Sequence, residues 1–81
     1  MFITYVLFSP VSNKIYIGFT TNLPQRICSH NHTGKGFTAR YRPWALLYTE
    51  VHPTRAEAMK REKQLKGGQG RAWIKQYLVP S

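Results

Sequence analysis

The 81-residue chain contains no aspartate. Its only carboxylate side chains are Glu50, Glu57 and Glu62, against twelve Lys and Arg, and the formal net charge is +9. This shortage of acids excludes an EF-hand loop, which needs many oxygen ligands. It also excludes a two-metal hydrolytic centre, which generally needs several bridging carboxylates. Cysteine is scarce too: Cys28 stands alone, no internal disulfide can form, and a reducing, cytoplasmic setting is expected. Cys28, His30 and His32 are spaced by single residues, which does not converge their side chains on a zinc ion. Long apolar runs are missing as well. Met1 to Phe8 is too short to span a bilayer, lacks a basic leader and meets Pro10 at once, so neither a membrane segment nor a signal peptide is expected.

What remains is basic and aromatic. The chain is 42% hydrophobic and carries five Tyr, four Phe and two Trp, which suits one folded domain over residues 1–81. A protein this basic attracts polyanions. Nucleic acid, DNA first, is the expected partner; an anionic membrane ranks lower because no clean basic amphipathic helix is present.

Phe2 to Phe8 is apolar and β-branched or aromatic, and reads as a strand. Ser9 to Lys14 is turn chemistry, and Ile15 to Phe19 reads as the second strand of a hairpin. Asn22 is a good N-cap with Pro24 just inside a first helix running to about His30. Residues 31–43 read as a basic loop and Trp44 to Val51 as a third strand. Thr54 and Glu57 form a capping-box pattern, with the Glu57 side chain expected to close it. A second helix follows and ends at Gly67-Gly68; a third spans Arg71 to Leu78, stopped by Pro80. The expected class is α+β: a small three-stranded antiparallel sheet flanked by helices, in the order β-β-α-β-α-α.

Glu62 is out of place in this pattern. It shares one helix face with Ala58, Met59 and Leu65, whereas Lys60, Arg61, Lys63 and Gln64 take the outer side. A carboxylate in an apolar stripe is costly unless it is paired or bound to a cation. Two readings follow: a Glu that snorkels or pairs with a nearby Arg, or a ligand for a cation. One carboxylate suits a single Mg²⁺ (or Mn²⁺), which keeps much of its water.

Tyr5 and Tyr16 lie on adjacent strands, where two phenols can share one end of a sheet. Nearby cations are expected to lower a phenol's pKa and make it a possible base. Arg26 and His30 are spaced i, i+4 on the first helix and flank the Leu23/Ile27 face. Arg can hold a phosphate through paired donors, and His can orient water or relay a proton. Lys35, Arg40 and Arg42 alternate with Phe37, Tyr41 and Trp44, a mixture suited to phosphate contact and base stacking. Arg40 and Arg42 are expected to serve binding with little effect on the fold.

Taken together, these residues resemble the GIY-YIG nuclease superfamily in its short stand-alone branch. Tyr5-Val6-Leu7 is similar to the first motif and Tyr16-Ile17-Gly18, followed by Thr20, to the second. Arg26 and His30 resemble the family's Arg and His on the first helix, Glu62 its metal-binding Glu, and Arg42-Pro43-Trp44 the approach to the third strand. The resemblance implies metal-dependent endonucleolytic hydrolysis of phosphodiesters in DNA, in repair or recombination, with branched or damaged DNA among the expected substrates. Tyr5, as phenolate, would take the proton from water with Tyr16 orienting; Arg26 would bind the scissile phosphate, and Glu62 the metal at the leaving-group side. Many larger members carry an Asn on the last helix and a separate specificity domain. Here the last helix reads Ile74-Lys75-Gln76-Tyr77, with Gln76 as the nearest substitute, and no further domain is expected. A catalytically silent nucleic-acid-binding module and a partner-activated nuclease subunit are the alternatives.

Overall fold

Strand β1 (Phe2–Ser9) is the apolar run that can be buried on both faces, and it takes the centre of the sheet. A computed structural model describes residues 1–33 and 40–79; Lys35, Phe37 and Pro80 lie outside the described residues. Strand β2 (Lys14–Thr20) and strand β3 (Ala45–His52) flank β1 in the order β2-β1-β3, and both pair with it antiparallel. Thr4 to Ser9 are all buried. The β1–β2 turn is closed by Asn13, whose φ of 58° is tolerated by Asn and whose N–H donates to Ser9 O at 2.7 Å. The buried Ser9 hydroxyl is met by Ser12 Oγ at 2.8 Å. A bulge falls between Val6 and Leu7, which pair with Tyr48 and Leu46.

Helix α1 (Leu23–Cys28) begins where Asn22 accepts from Gln25 N–H at 3.2 Å, with Pro24 in its first turn. The backbone then widens into a π-helical stretch, Ser29–Thr33, instead of fraying into a loop. Helix α2 (Arg55–Lys66) is capped by Thr54, which accepts from Glu57 N–H at 3.2 Å. Only this half of the capping box is formed: among the described residues the Glu57 side chain makes no hydrogen bond back to the cap. Gly67 ends α2, and helix α3 (Gly68–Tyr77) starts almost at once, three residues earlier than the sequence pattern placed it. Gly70 permits this tight turn, because a Cβ there would strike the backbone of Gln64 and Leu65. The β-β-α-β-α-α order and the α+β class hold. Among the described residues no helix is long and apolar enough to cross a membrane.

Alternation along β1 divides the interior in two. Val6 packs with Ile17, Leu65 and Ile74 under α2 and α3. Tyr5 and Leu7 turn the other way, to Trp44, Leu23 and Ile27 under α1. Burying each large apolar side chain contributes roughly 1.5–3 kcal/mol. Thr4 Oγ1 donates to Ala58 O at 3.2 Å and ties β1 directly to α2.

Candidate active site

A cleft of about 490 Å³ crosses β2, an outer strand of the sheet among the described residues, with α1 on one side and α2 on the other. Its lining includes Tyr5, Tyr16, Arg26 and Glu62, four residues far apart in sequence. Arg55 and Lys66 join them. Both basic side chains escaped the sequence reading, which had assigned α2 a single functional group. The usable signal was their helical position: Lys66 lies one turn beyond Glu62 and Arg55 two turns before it.

Gly18 explains how the phenols fit. It pairs with Tyr5 across the strands, and a Cβ on it would lie 2.8 Å from the Tyr5 hydroxyl and 3.2 Å from the Tyr16 ring. The bare glycine lets the Tyr5 ring lie across the neighbouring strand. Tyr5 is 1% exposed, and its hydroxyl is 2.9 Å from His30 Nε2. The ring centroids of Tyr16 and His30 are 4.7 Å apart. His30 is buried behind the cleft instead of lining it, whereas Arg26, one turn earlier, stays exposed at the rim.

The protonation of the Tyr5–His30 pair follows from burial. Desolvation pushes the Tyr5 phenol well above its ordinary value; the neighbouring Tyr16 adds to this, Arg26 opposes it and Glu62 adds again. The expectation that nearby cations make Tyr5 more acidic is therefore overturned: burial outweighs Arg26. His30 is shifted down by burial first, then by the charges of Arg26 and Arg42. Near pH 7 both groups are neutral, and the phenol O–H donates to Nε2 with the imidazole proton assigned to Nδ1.

The π-helical stretch is pinned from the approach to β3. Arg42 Nε donates to His30 O at 2.6 Å, and Nη2 to Ser29 O at 3.3 Å. Asn31 clasps the Trp44 backbone with both ends of its amide, at 3.1 and 2.6 Å. Arg42 thus serves the fold, contrary to the expectation that its loss would leave the structure undisturbed. Arg40 is exposed.

The three carboxylates have separate fates. Glu50 accepts from Tyr48 at 2.5 Å and from Arg61 Nε at 2.9 Å. Burial opposes its charge, but these hydrogen bonds outweigh burial and hold its carboxyl below the usual range. Arg61 is therefore turned back toward the sheet and not outward as the helical pattern placed it. Glu57 is exposed at the start of α2. Glu62 alone lines the cleft, with Lys66 Nζ 3.3 Å from its Oε1. Both open readings thus meet here: Glu62 has a cationic partner, Lys66 in place of an Arg, and it still faces the cleft. No cluster of three or more His, Cys, Asp or Glu that could cage a metal occurs among the described residues. One carboxylate, with water and a phosphate filling the remaining positions, is nonetheless a fitting donor set for hydrated Mg²⁺. Gln76 is exposed on α3 and is not part of the cleft lining.

Residues 1–77 match the family model of the GIY-YIG catalytic domain. The chain belongs to the GIY-YIG family, a nuclease superfamily. Its relatives include a UPF0213 protein of Staphylococcus haemolyticus, 45% identical over 56 residues, or 67% of each chain. A UPF0213 protein of Streptococcus pyogenes is 39% identical over 71 residues, covering 85% of this chain and 76% of that protein. The match to a relative from Desulfotalea psychrophila spans 49% of that protein. The solution structure of a UPF0213 protein from Bacillus halodurans superposes with a TM-score of 0.57 at 26% identity, over 99% of this chain and 89% of that one.

Proposed function

We propose that the protein is a divalent-metal-dependent endonuclease that hydrolyses phosphodiester bonds in DNA, with the β2-edge cleft as its active site. The observation that carries this reading is the meeting of Glu62 with Arg26, Tyr5 and Tyr16 in one cleft of a strongly basic chain. A binding surface has no need of a carboxylate among its cations; a metal-assisted hydrolase does.

Each group has a role that its surroundings support. Arg26, exposed at the rim, holds the non-bridging oxygens of the scissile phosphate through paired N–H donors. Tyr5 is too weak an acid to wait as a phenolate, so it works as a relay. Its oxygen takes a proton from the attacking water as its own proton passes to His30 Nε2, 2.9 Å away. The hydroxide oxygen bonds to phosphorus, and the opposite P–O bond breaks. Tyr16, stacked beside Tyr5 at 6.3 Å between centroids, orients the water. Glu62 would hold Mg²⁺ or Mn²⁺, which when bound supplies neutralising charge for the leaving oxygen. Arg40, exposed and outside the cleft lining, extends the phosphate footprint.

The exposed position of Gln76, outside the cleft, favours a second reading: a module that binds nucleic acid without cutting it. One experiment separates the two. Purified protein is incubated with single-stranded, duplex and branched DNA, and with RNA, in Mg²⁺, Mn²⁺ or EDTA. Cleavage that needs the metal and falls about 10³-fold in Glu62→Gln, with nucleic-acid binding retained, is the expected result. Binding without cleavage under any metal would establish the second reading.

A further inference from the structure

We infer that Lys66 competes with the metal for Glu62 and passes to the substrate backbone when nucleic acid enters, so that metal and nucleic acid bind cooperatively. This rests on the reading of Glu62 as the metal ligand. Lys66 lies in the last turn of α2, one turn past Glu62, and its Nζ is 3.3 Å from Glu62 Oε1. Both side chains line the same cleft. The lysine side chain is 48% exposed and the glutamate 22%, so the pair sits at the cleft's wet margin with the lysine on the outer side.

Charge balance gives the pair its consequence. Among the described residues the cleft holds Arg26, Arg55 and Lys66 against Glu62, three positive charges minus one negative, or +2. A divalent cation approaching that cleft alone meets net repulsion and an ammonium already on its ligand. It cannot share Oε1 with Lys66 at short range. A nucleic-acid backbone reverses both conditions: each phosphate brings a negative charge, and one of them can receive the displaced ammonium. Lys66 has a long, flexible stem and needs only a side-chain rotation to make the exchange. Glu50 and Glu57 offer it no alternative partner, since neither lines the cleft. Coupling of this kind is reciprocal, so metal must raise nucleic-acid affinity by the same factor as nucleic acid raises metal affinity.

An ordinary helical Glu–Lys pair at this spacing predicts less than roughly a two-fold change in metal affinity on losing the lysine. The competition predicts more. Mn²⁺ binding is read by the EPR signal of the free ion for wild type, Lys66→Met, Lys66→Arg and Glu62→Gln. Each is measured alone and with a phosphorothioate oligonucleotide, which keeps the backbone charge and resists hydrolysis. Lys66→Met should bind Mn²⁺ about five-fold more tightly than wild type in the absence of oligonucleotide. The gain in Mn²⁺ affinity that the oligonucleotide confers should shrink by a similar factor, and Lys66→Arg should keep the wild-type coupling. If Mn²⁺ binding requires Glu62 but Lys66→Met matches wild type within two-fold in both conditions, the inference is overturned while the metal reading stands. If Glu62→Gln binds Mn²⁺ as wild type does, or no protein binds it even with oligonucleotide, the metal reading itself fails and the inference falls with it.

Discussion

Under α2 and α3 the sheet packs Val6, Ile17, Leu65 and Ile74, a buried set with no polar atom in its side chains. Under α1 it packs Tyr5, Leu7 and Trp44, with Tyr16 and Tyr41 beside them and His30 buried against the Tyr5 hydroxyl. One central strand serves both faces. The aliphatic side asks mainly for volume and shape, its buried Thr4 hydroxyl being met by the Ala58 carbonyl. The aromatic side must also satisfy hydrogen bonds, and a buried polar pair is held to one geometry because any other leaves it unpaired. In a domain too small for two independent cores, the first face stabilises the sheet and the second, on the function proposed above, would hold the reacting groups in place.

That division can be broken from either side. The largest effect is expected from Tyr5→Phe: single-turnover cleavage should fall about 10²- to 10⁴-fold, because the ring remains but the proton path is cut. It should also cost about 1–3 kcal/mol in urea denaturation, because His30 Nε2 loses its donor in a buried place. Undiminished cleavage would move the proton transfer to another group. Leu65→Ala, on the aliphatic face, should lose about 2–5 kcal/mol of stability and keep its cleavage rate per folded molecule. A matching collapse of turnover at temperatures where the variant is folded would show that the faces are not separable.

Gly18→Ala addresses the boundary between them. The new methyl must displace the Tyr5 hydroxyl, at a cost of about 1–3 kcal/mol, and turnover should drop with it. A variant as stable and active as wild type would mean that the ring shifts freely. The smallest effect is on pH dependence. Burial lowers the proton affinity of His30 in the folded state, so below pH ~6.5 the unfolded chain binds more protons there. Its contribution is complete above that pH and is lost as pH falls toward the lower folded value, at no more than about 1.4 kcal/mol per pH unit. Thermal unfolding between about pH 7.5 and 5 should therefore weaken less in His30→Gln than in wild type. Parallel curves for the two would place the acid sensitivity elsewhere.

Much of this was legible from residue order. The strands follow apolar and β-branched runs, and the helix starts follow Asn22 and Thr54, because these signals act within a few residues. Glu62 stood out because a charge in an apolar stripe breaks a local pattern. What stayed hidden depends on partners distant in sequence. The π-helical stretch is held by Arg42 and Asn31 reaching toward or from the β3 approach, some twelve or thirteen residues away. Arg61 turns inward because Glu50 lies across from it on β3, and long side chains take their direction from such contacts and not from helical phase. The burial of Tyr5, which reverses its expected acidity, appears only once the sheet has both faces covered.

The cleft also lies along β2, which borders the sheet among the described residues. Open edges invite pairing with another chain, and proteins commonly guard them with charge. Here Arg26, Arg55 and Lys66 stand at that edge, so two copies approaching edge to edge repel each other at the cleft. The cations that would grip a phosphate backbone would thus also oppose the pairing of two copies along that edge. Neutralising all three would expose a sheet margin to self-association, and loss of solubility would accompany any loss of nucleic-acid affinity.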